Sequence, residues 1–147
     1  PAVLPEWWGA LDSTIRARAL RFGLVRFLAA GGGAILNITS MSGDNKNQRM
    51  ASYGSSKAAE SHLTRNIAHD LGPMNIRVNA IAPGATKTAA LQKVLTPETE
   101  QAMLAHTPLK RLGEPEDMAN AALFLCSPAA RWCSSTDTTM ARQSARC

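Results

Sequence analysis

Aromatic residues are scarce in this chain of 147 residues: one tyrosine, three tryptophans and three phenylalanines, 5% in all. Between residues 31 and 126 only Tyr53 and Phe124 are aromatic. The base-stacking platform that single-stranded nucleic acid uses is therefore absent from the middle of the chain. The charge distribution agrees. Of the net charge of +5, residues 1–30 carry +2 and residues 127–147 carry +2, which leaves +1 for the middle. A body that grips phosphates would hold the basic excess itself, so no nucleic-acid partner is expected. No run approaches the roughly eighteen apolar residues of a spanning helix, because Arg16, Arg18, Arg21 and Arg26 interrupt the first third, and no membrane partner is expected. Cys126, Cys133 and Cys147 form no C-x-x-C and leave an odd thiol, against a secreted disulfide framework and in favour of a cytoplasmic setting. His62, His69 and His106 share no ligand spacing; surface or packing roles are expected of them, and no metal.

What is present is a globular composition, 45% apolar and 18% charged with ten glycines and eight prolines, enough for one domain. Gly31, Gly32 and Gly33 form a turn before Ala34–Thr39, a short β-branched run read as a buried strand. Residues 40–50 are polar and aperiodic, a loop. From Ala51 to Leu71 the apolar residues Ala59, Leu63, Ile67 and Leu71 predict a helix stopped by Gly72-Pro73. Ile76–Ala82 is a second strand, closed by Pro83-Gly84. Thr96-Pro97-Glu98 caps a helix to about His106, and Gly113–Asp117 opens another on Met118, Ala122, Leu123 and Leu125. The order implies βαβ connectivity and a parallel sheet, an α/β fold. Two strands are few for such a sheet, and no strand pattern is seen after Trp132. Residues 14–30 are basic and partly amphipathic, expected as a helix packed on the sheet. Asn37-Ile38-Thr39 matches a glycosylation sequon, read as a chance match inside a strand.

The residues that carry chemistry cluster at the strand ends. Ser40 ends the first strand, and Tyr53 and Lys57 begin the long helix four residues apart, on one face. A phenol is a poor acid or base near neutral pH until a nearby cation favours the phenolate, and an ammonium one turn away supplies that charge. A serine hydroxyl aimed at the same place can hold the oxygen of a carbonyl or alcohol. Those are parts for interconverting a ketone and an alcohol. By themselves the three residues are also compatible with a chance pair on a solvated helix face. Their position at strand carboxyl ends, where such sheets bind ligands, raises the functional reading.

Ile38-Thr39-Ser40, Tyr53 thirteen residues on, Lys57, Asn75–Asn79, Pro83-Gly84, Arg111-Leu112-Gly113 and Pro115-Glu116-Asp117 together resemble the short-chain dehydrogenase/reductase family over about residues 31–132. Asn45-Lys46-Asn47, Ser61-His62-Leu63, His106-Thr107-Pro108 and Asn120–Pro128 resemble, within it, bacterial hydroxysteroid dehydrogenases acting on 7-alpha-hydroxy bile acids. The resemblance implies a partial Rossmann-like fold, the carboxyl-terminal half of a doubly wound parallel sheet, and an oxidoreductase using NAD or NADP, NAD being favoured. It implies that Ser40 orients the substrate oxygen and that Tyr53 is the general acid/base. Lys57 would support the phenolate and hold the nicotinamide ribose. Asn45 would face the steroid, and Pro83, Gly84, Thr86 and Thr88 would hold the nicotinamide end of the cofactor. A 3-oxoacyl-carrier-protein reductase and a catalytically inactive fragment are the alternatives. A homotetramer is implied by the family alone.

Several family features are missing. No strand leads into a glycine-rich phosphate turn, and no Asn-Asn-Ala-Gly occurs. The family's remaining catalytic asparagine would fall near Ser13, yet residues 1–30 hold no asparagine. Residues 1–30 are thus expected to be an aberrant or helical flank, 31–132 a catalytic half-domain of a truncated enzyme, and 133–147 an aberrant or disordered tail.

Overall fold

A computed structural model describes residues 27, 30–45 and 48–140. Strand β1 (Gly33–Ile38) is followed by helix α1 (Ala51–Leu71), β2 (Ile76–Ala82), α2 (Ala89–Gln92), α3 (Pro97–His106), α4 (Pro115–Cys126) and β3 (Asp137–Thr139). The strands form a parallel sheet in the order β1, β2, β3. Gly33 lies opposite Ile76 and Ile38 opposite Ile81, so both strands run out at the same edge, Ser40 following one and Pro83 the other. The expected helix on residues 14–30, Ser13, Trp7 and Trp8 lie outside the described residues, apart from Phe27 and Ala30.

The core forms where α1 crosses β2. Ala68 and Leu71 of the helix pack on Ile76 and Val78, with Phe27, Ile35, Ile67 and Met74 around them. Ile76, Val78 and Ile81 are fully buried, each contributing about 1.5–3 kcal/mol from apolar burial. The buried face of α1 is Ser61, Thr64, Ala68 and Leu71, whereas Leu63 and Ala59 are exposed. The stripe Ala59, Leu63, Ile67, Leu71 therefore marks the core only at its end. Residues four apart advance by about 40° beyond a full turn, so three steps carry the stripe about 120° around the helix. Small side chains let α1 approach the sheet: Thr64 is fully buried, and its hydroxyl accepts from Asn37 Nδ2 at 2.9 Å and donates to Glu60 O at 2.9 Å. The sequon asparagine is thus engaged inside the fold.

Three sequence expectations need correction. First, β1 is only half-buried, and Ile38 is 49% exposed, because among the described residues it has a strand partner on one side only. Second, Leu123 of α4 is 70% exposed; Leu125 is the residue of that helix that enters the core. Third, a strand does follow Trp132: Asp137, Thr138 and Thr139 lie opposite Ala80, Ile81 and Ala82.

Polar anchors, rather than an apolar pattern, build this strand. Arg77 donates to the carbonyls of Leu125, Ser127 and Cys133. Asn79 donates to Cys133 O at 2.9 Å and accepts from the Thr136 hydroxyl at 2.7 Å. Asp137 accepts from Ser61 Oγ of α1 and, at 3.3 Å, from Thr39 Oγ1. Residues 133–139 thus pair and hydrogen-bond with β2, and residues 141–147, with Cys147, lie outside the described residues.

Ser135, which enters this strand, has φ of 65°, a left-handed conformation costing a non-glycine residue about 1–2 kcal/mol. Ser135→Gly should raise stability by about 0.5–1 kcal/mol after the glycine's larger unfolded-state entropy is subtracted. Thermal unfolding reads this as a higher Tm; a lower Tm would show that the turn does not hold that conformation.

Candidate active site

The site starts at the edge where β1 and β2 end. Thr39 N and Thr39 Oγ1 both donate to Ile81 O, at 2.8 and 3.0 Å, and Met41 N donates to Pro83 O at 3.1 Å. These bonds carry the ladder past the end of β1. Thr39 and Met41 are buried, and the pleat turns the intervening Ser40 the other way. Ser40 caps a short 3-10 turn, Met41–Gly43, its Oγ accepting from Ser42 N at 3.1 Å. Acting there as acceptor, the hydroxyl keeps its hydrogen for another oxygen.

That turn is pressed onto the start of α1. A Cβ on Gly43 would lie 2.9 Å from Ala58 N, and one on Gly54 would lie 2.8 Å from Ser42 O; only glycine allows this approach. Tyr53 and Lys57, in the first two turns of α1, thereby line the same cavity as Ser40. The Lys57 ammonium donates to Ile38 O at 2.7 Å and pairs with Glu60 Oε2 at 2.8 Å.

A cavity of about 920 Å³ opens here. Its walls include Ser40, Asn45, Tyr53, Lys57, Pro83, Gly84, Thr86 and Thr88, all the site residues expected from the sequence. The hydroxyls of Thr86 and Thr88 are already engaged, Thr86 donating to Gly84 O at 3.1 Å and Thr88 accepting from Leu91 N at 3.3 Å.

Sequence reasoning missed the opposite wall. Thr99, Ala102, Met103 and His106 of α3 line the cavity, and their spacing of three, four and seven residues places them on one helix face. His106, expected to serve only surface or packing roles, is part of this wall, and the spacing was the signal that could have found it. Met41, Met50 and Leu91 add apolar surface. Among the described residues no group of three histidine, cysteine or acidic side chains comes together as a metal site, and no helix is long and apolar enough to cross a membrane.

The loop after β2 is fixed from below. Lys87 N donates to Gly113 O at 2.8 Å and Gly113 N to Ala85 O at 2.9 Å. Lys87 pairs with Glu114 at 2.8 Å, which raises the lysine's pKa first through that hydrogen bond and then through charge. Next to it, Arg111 donates to both carboxylate oxygens of Asp117, at 2.6 and 2.9 Å, and Glu114 N donates to Asp117 Oδ2 at 2.8 Å. The Arg111 guanidinium, followed by the Glu114 amide, holds the Asp117 carboxyl down to about 2.

A model of the family described as enoyl-(acyl carrier protein) reductase matches residues 6–140. The chain belongs to this family, the short-chain dehydrogenases/reductases, whose members are oxidoreductases. It is 69% identical over 104 residues to the 7alpha-hydroxysteroid dehydrogenase of Escherichia coli K12, covering 71% of this chain and 41% of that protein. It is 47% identical over 106 residues to the 3alpha-hydroxysteroid dehydrogenase of Mediterraneibacter gnavus, covering 69% and 40%. A solved 7 alpha-hydroxysteroid dehydrogenase complexed with NADH and 7-oxo glycochenodeoxycholic acid superposes with a TM-score of 0.76 at 63% identity, covering 79% of this chain and 46% of that one. A 3-oxoacyl-[acyl-carrier protein] reductase from Brucella melitensis superposes at 0.77 with 31% identity, covering 96% and 54%. The chain thus spans less than half the length of the curated relatives it matches.

The Asp117 pair has a pH signature. Because its folded pKa is depressed, Asp117 stabilises the fold fully above the unfolded carboxylate value of about 3.9, and this is lost as pH falls toward about 2. Thermal melts of wild type and Asp117→Asn should differ at neutral pH, wild type being higher, and converge between about pH 4 and 2. A gap unchanged down to that limit would rule the pair out as its source.

Proposed function

We propose that the chain carries the substrate-handling part of a nicotinamide-dependent dehydrogenase that interconverts a secondary steroid alcohol and its ketone. The 7-position of a bile acid is the favoured locus. The observation that carries the proposal is the convergence of Ser40, Tyr53 and Lys57 on one cavity at the carboxyl edge of the parallel sheet. Apolar walls from Met41, Met50, Leu91 and Met103 suit a sterol skeleton, with few polar groups to orient it.

The residues present fit the nicotinamide end of a cofactor. The cavity offers a cation with one of its three donors left after Ile38 O and Glu60, and an open wall of Pro83, Gly84, Thr86 and Thr88. Lys57 would hold a ribose hydroxyl, and the backbone of that wall the ring's carboxamide. A bound nicotinamide would supply the hydride chemistry at the alcohol or ketone carbon. NAD is favoured over NADP because the similar solved enzyme carries NADH.

The chain's own residues handle the proton. Ser40 Oγ–H donates to the substrate oxygen and fixes it beside Tyr53. In oxidation the Tyr53 phenolate accepts the alcohol proton; in reduction the phenol gives it back to the oxygen. Asn45, at the cavity rim formed by the loop after β1, faces the steroid. The assembly is proposed as a homotetramer by family likeness.

A 3-oxoacyl-carrier-protein reductase is the second reading, favoured by the superposition that covers 96% of the chain. Cofactor absorbance, measured with the purified chain and either a 7-alpha-hydroxylated bile acid or a 3-oxoacyl thioester, separates the two. Turnover of the bile acid is expected, and Tyr53→Phe should lower kcat at least about 100-fold. No turnover of either substrate, together with no cofactor-dependent rise in Tm, would establish an inactive fragment instead.

A further inference from the structure

Glu60 lies outside the cavity wall, yet it holds one of the groups that form it. Its Oε2 is 2.8 Å from Lys57 Nζ, one turn back on α1, and the two side chains are 33% and 24% exposed. The same ammonium donates to Ile38 O at 2.7 Å. Two of its three hydrogens therefore point to the strand end and to Glu60.

We propose that Glu60 is a positioning residue that draws the Lys57 ammonium toward the carboxyl-terminal side of α1 and partly neutralises it, restraining the ionisation of Tyr53. The inference rests on the proposed roles of Tyr53 and Lys57. An ammonium paired to a carboxylate presents less net charge to a neighbouring phenol than a free one does. Tyr53 and Glu60 are seven residues apart on the same helix, about 10 Å along its axis. The carboxylate thus acts on the phenol in two ways, weakly by its own field and more strongly by where it keeps the lysine.

The other charged groups nearby are few. Among the described residues of the cavity wall, only Tyr53, Lys57 and His106 are ionisable, and the described residues that line it from the loop after β2 and the turn after β1 are neutral. Farther along α1, Arg65 NH1 donates to Ser61 Oγ at 3.2 Å, and the Ser61 hydroxyl in turn donates to Asp137.

Tyr53 is the only tyrosine in the chain, so tyrosinate ultraviolet absorbance reads its ionisation directly, with neither cofactor nor substrate. The titration is run on the full chain. Glu60→Gln should move the midpoint down by about one pH unit. Part of that shift comes from the carboxylate's own field and does not depend on Lys57. Glu60→Asp should keep the parent midpoint, and Lys57→Met should raise it. With Lys57→Met present, the Glu60→Gln shift should fall to about half or less.

A Glu60→Gln shift that is absent, reversed, or equally large without Lys57 overturns the proposal, and Glu60→Ala gives a second reading should the amide variant fail to fold. A downward shift without turnover would sink the dehydrogenase reading alone. Turnover without the shift would sink the role of Glu60 alone.

Discussion

At Gly43 and Gly54 two backbones meet more closely than any side chain would allow, and the rest of the site depends on that contact. The ladder through Thr39 and Met41 fixes the end of β1 against β2, while the glycines let the following turn lie directly on α1. Helix and strand ends are then locked by one further bond, Lys57 Nζ to Ile38 O. A serine from one element and a tyrosine and lysine from another come to share a cavity, although thirteen residues separate Ser40 from Tyr53. Parallel pairing supplies the other wall, because β2 must end at the same edge and deliver Pro83 and Gly84 there.

The parts legible in the sequence were those governed by local rules. The bounds of α1 and β2 followed from the Gly72-Pro73 stop and the Pro83-Gly84 break, and α3 followed from Thr96-Pro97-Glu98; Thr96 and Thr99 form the reciprocal cap. Ser40, Tyr53 and Lys57 were legible because their spacing is tied to strand and helix ends, whereas Asn45, Pro83, Gly84, Thr86 and Thr88 were expected from the family resemblance alone. Burial was less so. Small polar side chains, Ser61 and Thr64, face the sheet where an apolar stripe was expected, since close packing here selects for size over hydrophobicity. β3 was invisible, because its pairing is secured from β2 by Arg77 and Asn79 and not by its own apolar residues. The place of His106 on the cavity wall was not read, because its neighbours on α3 are mixed in polarity and only their common face links them.

Family membership and site geometry reach different distances. The family match runs from residue 6 to residue 140, while the stretch of 69% identity to the E. coli enzyme covers 104 residues. The Ser40 and Tyr53 hydroxyls and the Lys57 ammonium, to which proton handling is assigned under the proposed function, lie on one cavity. At the edge of the sheet, Ser135 adopts a left-handed backbone, and Asp137 puts a carboxylate between Thr39 and Ser61. That carboxylate joins β3 to α1 and to Thr39, the residue before Ser40.

The most direct measurement of the central claim is a crystal structure of this chain with a bile-acid ketone bound. The account predicts the ketone oxygen within hydrogen-bonding distance of both Ser40 Oγ and the Tyr53 hydroxyl, with Lys57 on the same side. A ligand seated elsewhere, or a Tyr53 ring turned out of the cavity with the ligand in place, would contradict it.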